Sequence, residues 1–543
     1  MFRKHPKGLP YLFLTEMWER FGYYLMIGIF LLYMIDTDKG GLGFAQDKGS
    51  DIYGTFIALV YLTPFIGGLL ADRLLGYRVA ITIGGILMGL GYAALAIPGM
   101  PAFWGALLLI IIGNGFFKPN VSTLLGNLYN DPEYKVYKDS GYSIFYMGIN
   151  IGAFICNFVA AYLRNHFGWG YAFAAAGLGM FIGVFIFWLG NKHYLHADVK
   201  KETKQDGGAV GKLLGSILLP AAVAGTLGWF IPGNIFGSDS TDAFLFATIP
   251  IIVFFLSILV KARPKEKQPI AALLTIYMIV ILFWAIFKQN GTALTIWAEK
   301  YTDREIPAAM MPVAESMGMV QPLTNELGVY PAYDKFFRAP VQADGKVVTD
   351  STTHPYFINA PGKLPADGGS IKLLSTEIFQ SVNPFFVIVL TPLVVGFFGL
   401  LRRRNREPST AGKIGYGLLI TSLSSLVMVA AVYVTHNGFE KGSAWWLIGT
   451  YGVVTVGELC LSPMGLSLVN KLAPARIAAL MMGGWSLATS IGNKLSGVLA
   501  SMWDAYDYKA NFFWVNTGLT LIAAFAVFVL LRWLNRVLRE HGA

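Results

Sequence analysis

Residues 9–35, LPYLFLTEMWERFGYYLMIGIFLLYMI, decide how this chain is read. As a helix the stretch is long enough to cross a hydrocarbon layer about 30 Å thick, yet it carries Glu16, Glu19 and Arg20. Ionisable groups inside a membrane span are costly unless they face a partner or a water-filled path, so they point to function. On a helix Glu16 and Glu19 are neighbours, and Arg20 lies one turn beyond Glu16. A nearby cation favours the ionised carboxylate, whereas desolvation favours the protonated acid. A change in water access therefore moves a proton on or off. The competing reading is a static buried ion pair that fixes helix packing.

Composition extends the membrane reading to the whole chain. Of 543 residues, 55% are hydrophobic and only 14% charged, with a mean hydropathy of +0.54, too little polar surface for a soluble protein of this size. The two cysteines, Cys156 and Cys460, fall in apolar segments and support neither a disulfide framework nor a cysteine metal site. Arg3, Lys4 and Lys7 precede an apolar run that is too long and too charged for a signal peptide, so it reads as a retained first helix.

Hydropathy places helices at 9–35, 52–71, 79–98, 101–127, 140–163 and 169–190, then 210–231 and 242–260, then 270–298, 376–401, 411–434, 443–470, 475–502 and 511–534. The order is six, two, six. An all-α membrane protein of 14 transmembrane helices is expected, with two six-helix bundles as in the major facilitator superfamily. The N-terminal bundle spans 1–190, a linker with two inserted helices 191–267, and the C-terminal bundle 268–543. Residues 299–374, rich in Pro and Gly, are too long for an ordinary connection and hold enough aromatic side chains for a small folded cap. Lys and Arg gather at both termini and in alternate loops, while the intervening short loops hold only Lys39, Lys48, Arg164, Lys441 and Lys509. Both termini are therefore expected in the cytoplasm. The formal +10 charge follows from this orientation and from contact with the lipid bilayer, not from nucleic-acid binding.

Several motifs carry chemistry. Gly67-Gly68-Leu69-Leu70-Ala71-Asp72-Arg73-Leu74-Leu75-Gly76-Tyr77-Arg78 resembles the signature loop of the major facilitator superfamily, in which Asp72, Arg73 and Arg78 would latch one conformation. Glu16-x-x-Glu19-Arg20-Phe21-x-Tyr23-Tyr24 resembles the first-helix motif of the proton-dependent oligopeptide transporter (POT) family. Phe145-Tyr146-Met147-Gly148-Ile149-Asn150-Ile151-Gly152, Gln380-Ser381-Val382-Asn383-Pro384, Gly457-Glu458-Leu459-Cys460-Leu461-Ser462-Pro463 and Met481-Met482-Gly483-Gly484-Trp485 are similar to further segments of that family. The inserted helix pair matches its bacterial members.

The resemblance implies proton-driven uptake of di- and tripeptides into a bacterium, across its inner membrane, with no cofactor and as a monomer. A peptide zwitterion needs an anion site and a cation site, and the chain has both. Arg20 and Lys118 can receive the carboxylate, while Glu458, in the opposite bundle, can receive the ammonium. Proton coupling is expected at Glu16, Glu19, Arg20 and Lys118. Tyr23, Tyr24, Tyr61, Asn150, Trp284, Asn383 and Trp485 match positions that line the family's cavity. Two positions depart from the family pattern: an arginine in the first helix is replaced by Ile27, and an acid in the seventh by Lys288. Because both members of an outer gate pair change together, a different outer latch is expected, or Lys288 pairs elsewhere, with Glu16 and Glu458 as candidates. Lys494 is a further buried-looking cation without an evident partner.

All seven histidines lie in predicted loops or helix ends, so carboxylates must carry any coupled proton. Neither H-E-x-x-H nor an intramembrane histidine base is present, which argues against an enzyme. A same-fold carrier of nitrate or another non-peptide solute, and a receptor that does not transport, are the alternatives.

Overall fold

The computed structural model of the chain describes residues 4–71, 75–198, 207–474 and 477–541. Long apolar helices dominate because a backbone in lipid has no water to bond and must satisfy itself within each span. The first six are α1 (Leu9–Ile35), α2 (Gln46–Leu70), α3 (Tyr77–Leu95), α4 (Met100–Leu128), α5 (Lys138–Phe167) and α6 (Trp169–Leu189). α1 packs on α5 and α6, α2 on α4, and α3 on α4 and α6, which closes one bundle around a continuous apolar core. Gly168, at φ +98°, joins α5 directly to α6, a conformation in which a side chain would be strained.

Two inserted helices, α7 (Gly207–Trp229) and α8 (Asp239–Val260), pack chiefly on each other. Ser238 starts α8 by accepting a hydrogen bond from the Thr241 backbone N–H. The second bundle begins with α9 (Pro264–Phe287), which breaks into a tight turn at Lys288–Gly291 before the short α10 (Ala293–Lys300). After another short helix, α11 (Met311–Ser316), come α12 (Val382–Arg403), α13 (Thr410–Val434), α14 (Trp445–Leu472), α15 (Ala478–Ser501) and α16 (Lys509–His541). Here α13 packs on α14 and α16, and α9 on α15 and α16.

Eleven of these helices are long and apolar enough to cross a membrane among the described residues. α1 stands outside that set because Glu16, Glu19 and Arg20 interrupt its apolar run. Of the helix limits that differ from the hydropathy reading, two bear on the charged residues. α2 starts at Gln46, not 52, because polar residues 46–51 continue the helix beyond the apolar run. The expected helix 270–298 is broken after Phe287, and Thr292 takes the non-helical angles φ −126°, ψ −95°.

Residues between α10 and α12 fold as a cap. Strand β1 (Thr302–Asp303) pairs in parallel with β6 (Gly442–Ser443), β2 (Val320–Thr324) pairs antiparallel with β5 (Ser370–Leu374), and β3 (Gly328–Pro331) with β4 (Thr349–Thr352). Leu323, Tyr356, Phe357 and Leu373 give the cap its own small core. It is anchored on both bundles: Tyr330 donates to Asp38 beyond α1 at 3.1 Å, and Arg338 pairs with Asp507 before α16 at 2.5 Å. α1 leaves toward the cap and α16 runs away from it, so the start of α1 and the end of α16 lie on the face opposite the cap.

Candidate functional site

Small residues set the position of the charged groups on α1. Gly148 and Gly152 of α5 lie against Phe13 and the Met17 carbonyl, where an added Cβ would crowd the first and collide with the second. This four-residue spacing of glycines lets two helix backbones approach closely. It brings α5 directly beside the turn that carries Glu16, Glu19 and Arg20. All three are buried, with exposures of 4%, 0% and 3%. Arg20 donates to both Glu19 oxygens, at 2.7 Å through Nη2, and its Nε lies 3.4 Å from Glu16. Such a forked, charge-assisted arrangement fixes the guanidinium firmly. Its central carbon stands over the rings of Tyr23 and Tyr24, 5.1 and 6.0 Å from their centroids.

Lys118 is positioned by the packing of α4 on α2. Gly67 and Gly115 meet where neither has room for a side chain. Pro64 lacks an N–H and leaves the Val60 carbonyl without its helical donor, and Asn114 supplies one at 2.7 Å. One turn further along α4, the Lys118 ammonium sits 4.1 Å from the centre of the Tyr61 ring. It makes no ion pair with a described carboxylate, although Arg20 and Glu19 are within its electrostatic range.

The C-terminal bundle contributes an acid. Glu458, on α14, accepts a hydrogen bond from Asn383 of α12 at 3.2 Å, and the same amide donates to Thr455 at 2.8 Å. No described cation pairs with Glu458 at contact distance, so the carboxylate is oriented but not neutralised. Tyr24, from the other bundle, lies within electrostatic range of both Arg20 and Glu458.

Lys288 closes α9 and reaches across the bundle interface. Its ammonium is 5.2 Å from the Tyr61 ring centre and 5.8 Å from that of Trp284. It pairs with neither Glu16 nor Glu458, because the turn after Phe287 directs it to Tyr61. Ile27 is partly buried against the core of the N-terminal bundle. Asn150 donates to the Tyr146 carbonyl at 3.0 Å on α5. Trp485 packs on Tyr277 and against Gly465.

Of the loop residues expected to form a latch, Asp72 and Arg73 lie outside the described residues. Arg78 bonds to the segment that follows α6: it donates to Asn191 at 2.6 Å and lies 3.8 Å from Asp198, which also accepts from the Tyr77 N–H.

A second charged cluster forms around Lys494, whose partner the sequence left open. Lys494, 1% exposed on α15, donates to Asp51 of α2 at 2.5 Å, to Thr55 at 2.7 Å and to Ser240 of α8 at 3.1 Å. Asp51 also accepts from Ser240 and Thr241. N-terminal bundle, C-terminal bundle and inserted pair thus meet at one ion pair. Beside it Gly54 and Gly497 touch backbone to backbone, and Ser490 donates to the Ala58 carbonyl at 2.7 Å. On the other flank Arg164 of α5 pairs with Glu377 at 3.1 Å, both buried, and Asn157 donates to Ser381 at 3.0 Å. The Asp51–Lys494 and Arg164–Glu377 pairs and the Asn157–Ser381 hydrogen bond, which join the two bundles, lie in the half nearer the cap.

A cavity of about 510 Å³ lies between α2, α7, α8 and α15, but no charged residue lines it. It cannot bind a charged solute and is not the site. Among the described residues no group of three His, Cys, Asp or Glu could hold a metal ion.

Known proteins resemble this chain over most of its length. A family model described as the POT family matches residues 78–338 and 366–515. The uncharacterized transporter YclF of Bacillus subtilis is 31% identical over 511 residues, 93% of this chain and 89% of that protein. A di-/tripeptide transporter of Lactococcus lactis subsp. lactis is 28% identical over 541 residues, 97% of this chain and 95% of its own length. A crystal structure of a mutant peptide transporter POT in complex with alafosfalin superposes with a TM-score of 0.74 at 29% identity, over 99% of this chain and 96% of that one.

Proposed function

The chain belongs to the POT family, and from that premise we propose that it is a proton-coupled symporter that imports di- and tripeptides by alternating access. One observation carries the reading: Arg20 and Lys118 on one bundle and Glu458 on the other are opposite poles, and neither Lys118 nor Glu458 is ion-paired with a described residue. A peptide zwitterion has a carboxylate and an ammonium held apart by its backbone, and it bridges the two poles. Binding then draws the two bundles together. Tyr23, Tyr24, Tyr61 and Trp284 offer ring surface that accepts varied side chains, and Asn383 orients Glu458.

The proton is carried by Glu19 and Glu16. Protonation weakens their grip on Arg20, which frees the guanidinium for the substrate carboxylate. Deprotonation restores the grip and releases the substrate. The cap faces the exterior and both termini the cytoplasm, consistent with the asymmetry of Lys and Arg in the loops. In this orientation the Asp51–Lys494 and Arg164–Glu377 pairs hold the outer side shut. They serve as the outer latch in place of the pair changed at Ile27 and Lys288. Asn150 and Trp485 border the substrate path, and the protein acts as a monomer in a bacterial inner membrane.

The test is uptake of labelled Ala-Ala by proteoliposomes. An inward proton gradient is expected to drive accumulation that a protonophore abolishes, with Ala-Ala-Ala competing and nitrate not. Uptake indifferent to the gradient, or competed by nitrate and not by tripeptide, contradicts the proposal.

A further inference from the structure

Lys288 and Lys118 come from opposite bundles, yet their ammonium groups approach the same ring, 5.2 and 4.1 Å from the centre of Tyr61. Two like charges beside one side chain repel, and neither has a described carboxylate within ion-pair distance. Around Lys288 stand Tyr61 of α2, Trp284 and Phe287 of α9, with Lys118 of α4 and Glu458 of α14 within electrostatic range. The rings offset part of the cost of holding the ammonium there. Tyr61 also hydrogen-bonds the Lys288 ammonium, but no described carboxylate pairs with it.

The site holds three cations, Arg20, Lys118 and Lys288, and three acids, Glu16, Glu19 and Glu458. Arg20 is committed to Glu16 and Glu19. A zwitterion adds no net charge, so a site loaded with one proton and one neutral peptide carries an excess positive charge. A second carboxylate on the ligand removes that excess. The one cation left without a partner once the peptide termini are bound to Arg20, Lys118 and Glu458 is Lys288.

We infer that Lys288 makes this carrier selective for peptides with an acidic side chain, binding a ligand carboxylate in addition to the C-terminal one. The inference rests on the peptide-symport reading and names its substrate class.

Its test is competition against labelled Ala-Ala uptake at neutral pH by Ala-Glu, Ala-Gln and Ala-Lys, with the full chain in proteoliposomes. Ala-Glu is expected to compete about tenfold more strongly than Ala-Gln, and Ala-Lys more weakly than either. Lys288→Arg keeps this order, and Lys288→Gln brings Ala-Glu and Ala-Gln to parity. Should a variant not transport, the shift in melting temperature with each peptide in detergent gives the same comparison. Equal competition by Ala-Glu and Ala-Gln in the natural protein, or a preference that survives Lys288→Gln, overturns the inference. If Ala-Ala uptake persists in those cases, the symport reading stands. If no peptide is transported or bound, both fall.

Discussion

Glu19→Gln is expected to abolish accumulation of dipeptide against its gradient while leaving exchange of internal for external peptide in place. For one coupled proton, an inward gradient of two pH units can drive about 100-fold accumulation, and loss of the proton site collapses that ratio to one. Glu19 is completely buried and bonds Arg20 through both oxygens. The amide keeps its shape and one acceptor but can neither ionise nor take up a proton. Arg20 retains Glu16 at 3.4 Å, so the cationic pole survives and peptide still binds. Accumulation and counterflow measured on the same proteoliposomes check this. A Glu19→Gln protein that still concentrates dipeptide in a proton-dependent manner would move the coupling site elsewhere.

Lys494→Met is expected to open the outer side. Removing one partner of a buried ion pair leaves the other charge desolvated and uncompensated, at a cost of about 3–5 kcal/mol. Here Asp51 would keep only the hydroxyl donors Ser240 and Thr241. Even about 3 kcal/mol shifts a two-state equilibrium by more than 100-fold, enough to reverse which face is closed. Ala58, fully buried where α2 meets Ser490, is a suitable reporter because both native cysteines are buried. A cysteine placed there by Ala58→Cys should react with an external maleimide much faster in the Lys494→Met background, with uptake reduced. Adding Asp51→Asn removes the stranded charge and should restore slow labelling. An unchanged labelling rate would mean that the ion pair does not hold the closed state.

The six-two-six order of helices was readable because spans in lipid must be long and apolar, and the charged turn of α1 stood out for the same reason. Gly148 and Gly152 could be recognised as a motif, but their contact with the Met17 turn depends on which helix lies beside α5. Asp51 escaped notice through a helix boundary. A start at 52 left it in a loop, whereas α2 begins at Gln46 and carries Asp51 into the interface with α15, where Lys494 finds its partner. Lys288 was singled out as a misplaced charge, yet its surroundings could not be read, because they follow from the break after Phe287 within an apolar run that looks continuous to residue 298. Trp485 belongs to a motif resembling the family's, but its ring lies against Tyr277 and Gly465, contacts set by the packing of α15 on α9 and α14.

Binding of Ala-Ala, N-acetyl-Ala-Ala and Ala-Ala-amide to the purified protein, each with and without Glu458→Gln, bears most directly on the grip at both ends of the peptide. Loss of one partner of a desolvated charge pair costs about 2 kcal/mol or more, which is about 30-fold in affinity. Each capped peptide should therefore bind at least about 30-fold more weakly than Ala-Ala. Glu458→Gln should erase the difference between the free and the acetylated N-terminus while leaving the penalty for the amidated C-terminus. Capped peptides that bind as tightly as Ala-Ala, or a Glu458→Gln protein that still discriminates against the acetylated one, would contradict it.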